Sequence, residues 1–398
     1  MGALELPAGV ISALDSIRRA FLWTAMDKVS GAKCLVAWER ACRPKKEGGL
    51  GICSLRIQNH CLLIKLLHRL FSHQSESWPR WVWSCLNGEP IDNALRAASL
   101  TGCHWRSLLR LLPLYRDISR VSVGDGRSTS FWLDSWLPVR ALAVHMPELF
   151  SHCSNPAVSV HSVMADGLDA VLVRRLTATA ESQRRALLAM LSTTNLTGSP
   201  DSRSLPLCGR ADGGLRSASL YSLCSFGGEA FASHDFLWRS HASSKVKFFG
   251  WLLVHGRIQC RANLLLKSIV DISASGCAIC SAPLETPEHI IFDCPFARAF
   301  WTSIGCTSLP TLLIADARLW PLPLSAPTET AATLRLLCFW HLWKHRNGVV
   351  FEGLAPSIPL LRQNCRADVE LWSARLPHKR RSDTAVWLGY FQQTHHPC

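Results

Sequence analysis

Four residues within eighteen, Cys277, Cys280, His289 and Cys294, constrain this chain more than any other feature, because they read as C-x2-C-x8-H-x4-C. Two cysteines separated by two residues can turn their sulfurs toward one point, and a later His and Cys can complete a tetrahedron around Zn²⁺. A catalytic zinc keeps an open position and usually takes three protein ligands, so a closed Cys3His set favours a structural ion. The flanks agree: Gly276 permits a tight approach, Pro287 suits a turn, and Pro295 suits the first position of a helix running through Trp301. Cys294 then sits at a helix N-terminus, where unsatisfied N–H groups favour the thiolate. Five residues of regular helix turn through about 500°, so the x4 spacing predicts His289 on an extended approach rather than on a helix shared with Cys294. The competing reading is a pair of buried thiols beside an unrelated His and Cys. With seventeen cysteines in the chain such spacings arise by chance, and it is the joint agreement of ligand type, spacing and turn residues that favours metal.

Upstream lies the apolar run Lys245-Val-Lys-Phe-Phe-Gly-Trp-Leu-Leu-Val-His-Gly-Arg257, then Arg261-Ala-Asn-Leu-Leu-Leu266. Together with the ligand box and Trp301, these stretches closely resemble the zinc-binding domain that follows the reverse transcriptase of plant LINE-type (non-LTR) retrotransposons, over about residues 216 to 304. Phe21-Leu-Trp, Val36-Ala-Trp-Glu, Arg43-Pro-Lys-Lys-Glu-Gly-Gly-Leu-Gly-Ile52 and Gln58-Asn59 resemble the segment joining polymerase to zinc domain in the same elements. Trp340-His-Leu-Trp-Lys-His-Arg-Asn347 with Phe351 resembles their C-terminal box, whereas 137–215 and 353–398 match weakly. The resemblance implies a mainly α fold with small β elements, in five parts. These are a helical post-polymerase connector over 1–120, a small hairpin with a helix and flexible linker over 121–215, and the compact zinc-binding domain over 216–304. A Pro-rich connector over 305–330 and a basic C-terminal helical region over 331–398 complete the chain.

At 398 residues with 48% hydrophobic content the chain can bury substantial cores, and its formal charge of +14 suits an anionic partner. The start lacks the basic flank and apolar core of a signal peptide, and no stretch of eighteen apolar residues appears; Cys61–Phe71 is interrupted by Lys65 and Arg69. The expected setting is therefore intracellular, nuclear or cytoplasmic, without a membrane. Position 6 lacks the hydroxyl of a myristoylation signal, Cys398 is terminal and so no prenylation box, and an odd number of scattered cysteines fits reduced thiols better than a disulfide scaffold.

Along the chain, Ile11, Leu14, Ile17, Ala20, Phe21 and Leu22 recur at helical spacing between Ala8 and Met26, predicting an amphipathic helix. Gly48-Gly49-Leu50-Gly51 lacks the pattern of a phosphate loop and reads as a turn. Helices are predicted over 55–72, 168–192 and 331–351, and Trp78, Trp81 and Trp83 are read as core. Val121–Trp132 alternates around Asp125-Gly126, a hairpin signal, and 307–330 is a Pro-rich irregular connector. Lys379-Arg380-Arg381 reads as a solvated loop.

Two function classes follow. In the first, the chain binds RNA or DNA without sequence preference through Lys245, Lys247, Arg257, Arg261, Lys344 and Arg346, and the family resemblance implies that the zinc domain holds template or target near a polymerase. In the second, the zinc unit is a protein-interaction module and the charge serves solubility; a degenerate element without cellular function also stays open. No catalytic residues are assigned. A polymerase of this family carries its metal-binding acids in a Tyr/Phe-x-Asp-Asp box, no Asp-Asp pair occurs, and Asp125, Asp134, Asp166, Asp201, Asp212 and Asp293 each stand alone.

Overall fold

The computed structural model describes residues 4–72, 76–86, 90–92, 102–225 and 227–392. The protein is mainly α: helices carry nearly all of its regular structure, and its named strands form one two-stranded sheet. The chain divides into two compact units, one of Met1–Asp15 with Cys53–Gly227 and one of Ser16–Ile52 with Gly228–Cys398. No described helix is long and apolar enough to cross a membrane.

Helix α1 (Ala8–Thr24) forms where periodicity places it, but its apolar stripe is not its buried one. Leu14, Ile17 and Phe21 are exposed, while Ala20 is buried and Leu22 and Trp23 pack inward. In the first unit, α2 (Leu55–Ser72) buries Ile64, Leu67 and Phe71 and α3 (Cys103–Ile118) buries Trp105, Leu108, Leu112 and Tyr115, spacings of three and four that make one helical face each. The faces meet with Phe71 and Tyr115 stacked at 5.4 Å. Of the three nearby tryptophans, Trp78 stacks on Trp105 and Trp83 donates its indole N–H to the Leu70 carbonyl, but Trp81 is 48% exposed and is not core.

The predicted hairpin does not form. Strand β1 (Arg120–Ser122) pairs antiparallel with β2 (Ser202–Ser204), Val121 opposite Arg203. The Asp125-Gly126 turn is fastened from outside instead: the Asp201 carboxylate accepts the N–H groups of Gly124 and Gly126 and the hydroxyls of Ser128 and Thr129. A long-range acceptor thus replaces the local ladder that alternation suggested. Asp134 is structural as well. It is buried between Arg116 (2.9 Å) and Arg203 (2.9 Å). Burial alone would raise its pKa, but the Arg203 and Arg116 charges outweigh that and hold it at about 2. A carboxyl depressed in this way contributes stability above its unfolded pKa, near 3.9, which is lost as pH falls toward 2. The predicted helix over 168–192 also splits, into a 3₁₀ turn (Leu168–Val171) and α4 (Ala178–Leu191), because the Thr177 hydroxyl accepts the Ala180 N–H and starts a new helix. Helix α5 (Ser217–Cys224) closes this unit.

The second unit is organised by α6 (Ser244–Val254), which buries Val246 and every residue from Phe249 to Val254. Ser243 caps its start, and it ends at Gly256 (φ +64), where the Arg257 N–H returns to the Leu252 carbonyl. Then follow α7 (Arg261–Leu266), α8 (Pro295–Ser303), α9 (Ala331–Glu352), α10 (Ile358–Trp372) and α11 (Asp383–Tyr390). Phe292 stacks on Trp320 at 4.2 Å with Trp301 and Phe339 against the pair, so residues flanking the ligand box are the core itself.

The Gly48-Gly49-Leu50-Gly51 stretch is a turn, and it docks on α6. The Trp251 indole donates to the Gly48 carbonyl at 2.8 Å, and His255 Nε2 lies 2.8 Å from the same oxygen. A Cβ on Gly49 would lie 1.9 Å from the Arg43 carbonyl oxygen, backbone that the turn itself fixes. Gly49→Ala is expected to lower unfolding free energy by about 2 kcal/mol or more, the scale of a rigid overpacked site. Urea unfolding of the variant beside wild type checks this; equal midpoints would mean that the turn is not tight.

Candidate metal centre

The four ligand candidates converge. Cys277, Cys280, His289 and Cys294 each bring one ligand atom to a site where all four lie within 4.8 Å of one another, and they form the single such His/Cys/Asp/Glu group among the described residues. Cys277 to Ala282 make a tight knuckle: the Cys277 N–H donates to the Ala282 carbonyl (2.8 Å) and the Ser281 N–H returns to the Cys277 carbonyl (3.0 Å). A Cβ on Gly276 would meet the Ala282 carbonyl oxygen at 2.9 Å, which is why the position before the first ligand is glycine. The Ile279 N–H points at Cys277 Sγ (3.4 Å), a donor suited to a thiolate.

His289 corrects an expectation. It lies in a π-helical turn, His289–Asp293, and not on an extended approach. An α-helix cannot bring positions five apart to one side, but an i→i+5 turn closes over that separation, and the Cys294 N–H donates to the His289 carbonyl at 2.8 Å. The x4 spacing is therefore the spacing of one π turn. Cys294 caps α8 with Pro295 at its first position, as expected, and hydrogen bonds from the Phe296 and Ala297 N–H groups favour its thiolate. His289 Nε2 lies 3.2 Å from Cys280 Sγ.

The electrostatics are those of a shared-proton cluster. A hydrogen bond from Cys294, assisted by one from His289, lowers the Cys277 thiol to about 3, while the same Cys277 contact pushes Cys294 far above the thiol range and raises His289. The Cys277 and Cys294 sulfurs and the His289 imidazole thus share protons at one point. A divalent cation replaces those protons, and its affinity must fall as pH falls because the ligands bind it deprotonated.

The second layer turns on Glu285, which sequence reasoning passed over. Its side chain is fully buried. The carboxylate accepts Arg346 Nε at 3.0 Å and Arg346 Nη2 in a second, very short bond, and also takes the Arg261 backbone N–H at 3.1 Å. Its own N–H and carbonyl join Ser275 and Ala262. One residue between the second and third ligands therefore ties the metal loop to α7 and α9.

This corrects the assignment of Arg346 to phosphate: it is 4% exposed and its guanidinium faces Glu285. His345 is also inside, stacked on Phe296 at 5.0 Å and accepting the Ser357 N–H. Cys338, Leu342 and His345, and likewise Phe339, Leu342 and Arg346, recur at three and four residues, so the buried face of α9 runs on through the stretch read as basic surface. Among the other predicted contacts, Arg261 is half-buried and donates to the Gly276 carbonyl, and Lys247 is half-buried and donates to the Trp238 carbonyl at 3.0 Å. Lys245, Arg257 and Lys344 are exposed, with Lys245 Nζ 5.4 Å from the Trp340 ring. The six therefore differ in exposure, and Arg346 is not among those that face water.

Residues 216–301 match the family described as zinc-binding in reverse transcriptase. The chain is also 26% identical over 316 residues to an Arabidopsis thaliana protein named "Putative ribonuclease H protein", covering 76% of this chain and 49% of that one. A second Arabidopsis thaliana protein, named "Uncharacterized mitochondrial protein", is 26% identical over 141 residues, 34% of this chain and 89% of its own length. The chain spans about half the length of the first relative. The Cys3His group lies within the segment that matches the zinc-binding family, and it can hold a metal ion.

Proposed function

We propose that the chain is the zinc-binding, nucleic-acid-holding portion of a LINE-type reverse transcriptase product, with Zn²⁺ at Cys277, Cys280, His289 and Cys294. The observation that carries the metal is the convergence of three thiols and an imidazole within 4.8 Å inside the matched segment, a soft, four-ligand set that selects zinc over the oxygen-preferring cations. The ion holds shape: all four positions of a tetrahedron are supplied by protein, which leaves none for a reacting water.

The charge supports nucleic acid. The unit containing the zinc site carries 25 Lys and Arg against 15 Asp and Glu, hence +10 of the chain's +14. Binding rather than catalysis is supported by the carboxylates: Asp134 is saturated by two arginines and Asp201 by backbone and hydroxyl donors, whereas two-metal hydrolysis needs free acids in pairs.

A salt titration tests the reading. Affinity for a short RNA or DNA strand is expected to fall steeply and linearly on log axes as salt rises, with little dependence on sequence. Absence of binding at low salt would favour the second class, in which the zinc unit docks a protein partner.

A further inference from the structure

In the second unit a cavity of about 340 Å³ lies between the basic turn after Arg43 and the start of α6, lined by Lys45, Leu50, Trp238, Ser244, Lys247 and Phe248. One tryptophan fixes both of its cations. Lys45 Nζ sits 4.4 Å from the centroid of the Trp238 ring, and Lys247 Nζ donates to the Trp238 carbonyl at 3.0 Å. No carboxylate lines the cavity. Nearby Glu47 is directed elsewhere, since its carboxylate occupies the space where a Gly228 side chain would begin.

Exposed Lys45 and half-buried Lys247 bring two ammonium groups to one partly apolar site, where they repel each other and Lys247 loses part of its hydration. The effect is visible at Lys247, whose pKa is lowered first by burial and then by the charge of Lys45. Lys247 uses one of its three donors on the Trp238 carbonyl and so has others to offer, and the walls of Leu50 and Phe248 keep the local dielectric low, where an anion between the two gains most. Ser244, in the first turn of α6, brings the positive end of an eleven-residue helix to the same cavity.

We infer that this cavity is a phosphate-binding subsite that takes a phosphodiester of a nucleic-acid strand between Lys45 and Lys247. The assignment rests on the nucleic-acid reading above and deepens it by saying where the backbone is held. Free phosphate and mononucleotides share the chemistry and are separated by the test. Lys247 was among the residues picked out by sequence; Lys45 was not, because the two lie far apart in the chain and only the docking of the glycine turn on α6 joins them.

The test uses the full chain, a short labelled single-stranded oligonucleotide and a salt series, with Lys45→Gln compared against Lys379→Gln, an exposed lysine outside the cavity. Lys45→Gln is expected to weaken binding about fivefold at low salt and to reduce the log–log slope by about 0.7, the share of one single-strand phosphate. Lys379→Gln should change neither, and Lys45→Arg should restore both, which separates a lost contact from a misfolded turn. Equal behaviour of Lys45→Gln and Lys379→Gln, in a protein that still binds, overturns the subsite and leaves the nucleic-acid reading intact. A wild-type protein that binds no strand at low salt overturns both. Inorganic phosphate is the second probe: if Lys45→Gln abolishes phosphate binding but leaves the strand untouched, the cavity is a free-anion site and the phosphodiester assignment fails.

Discussion

Cys280→Ser is expected to empty the metal site and to loosen the segment around it, with bound zinc falling from one ion to none in native mass spectrometry. The side chain is half-buried and the change nearly isosteric, so packing alone accounts for little of the effect. The cost comes from the ion. Structural zinc is worth on the order of 10 kcal/mol in small fingers, and the binding free energy becomes folding free energy where ligands converge only in the folded chain. Here the π turn that presents His289 also carries Ile290, Ile291 and Phe292, all buried, and the Trp301 indole donates to the Ile291 carbonyl at 2.8 Å. Releasing His289 therefore frees the strip that builds the Phe292, Trp320 and Trp301 stack. Limited proteolysis should show new cleavage between about residues 275 and 303, and chelation of wild type should reproduce it. Cys103→Ser, at an exposed thiol in the other unit, should do neither. Retention of the ion and of protease resistance by Cys280→Ser would overturn the site assignment.

Much of this was legible in the sequence because it depended on local chemistry. Ligand types, the proline after Cys294, the glycine before Cys277 and the apolar spacing of α2 each act over a few residues, and each appears where those rules place it. What stayed hidden was partnership over distance. Alternation around Asp125-Gly126 marked a turn correctly, but the acceptor that holds it is Asp201, and no local pattern names a residue so far along the chain. The x4 spacing excludes a shared α-helix, and the chain joins those two positions by the wider closure of a π turn. Basic residues misled for a related reason: charge is a good guide to surface until a buried carboxylate waits for it, and Glu285 offers no signature beyond its type. Arg346 and Lys344 are separated by one residue, and one helix step decides which meets water.

The same buried pair gives the second large expected effect. Glu285→Gln leaves the Arg346 guanidinium buried without its counter-charge, and Arg346→Met leaves the Glu285 carboxylate in the same position; each is expected to lower stability by about 3–5 kcal/mol. The double variant removes both charges while glutamine keeps an acceptor for the Arg261 N–H, so it is expected to recover most of the loss. A double-mutant cycle measured by urea unfolding, with matched zinc loading, isolates the coupling; a strong nonadditive term is expected because the two groups are in direct contact. The pair is almost wholly shielded from solvent, so this coupling should change little with salt, unlike the exposed pairs of Arg69 with Glu76 or Arg366 with Glu370. The opposite pattern would reverse the structural reading. If Arg346→Met weakened strand binding and reduced its salt slope while leaving unfolding unchanged, the arginine would be a phosphate contact and the Glu285 pairing would not hold α9 to the metal loop.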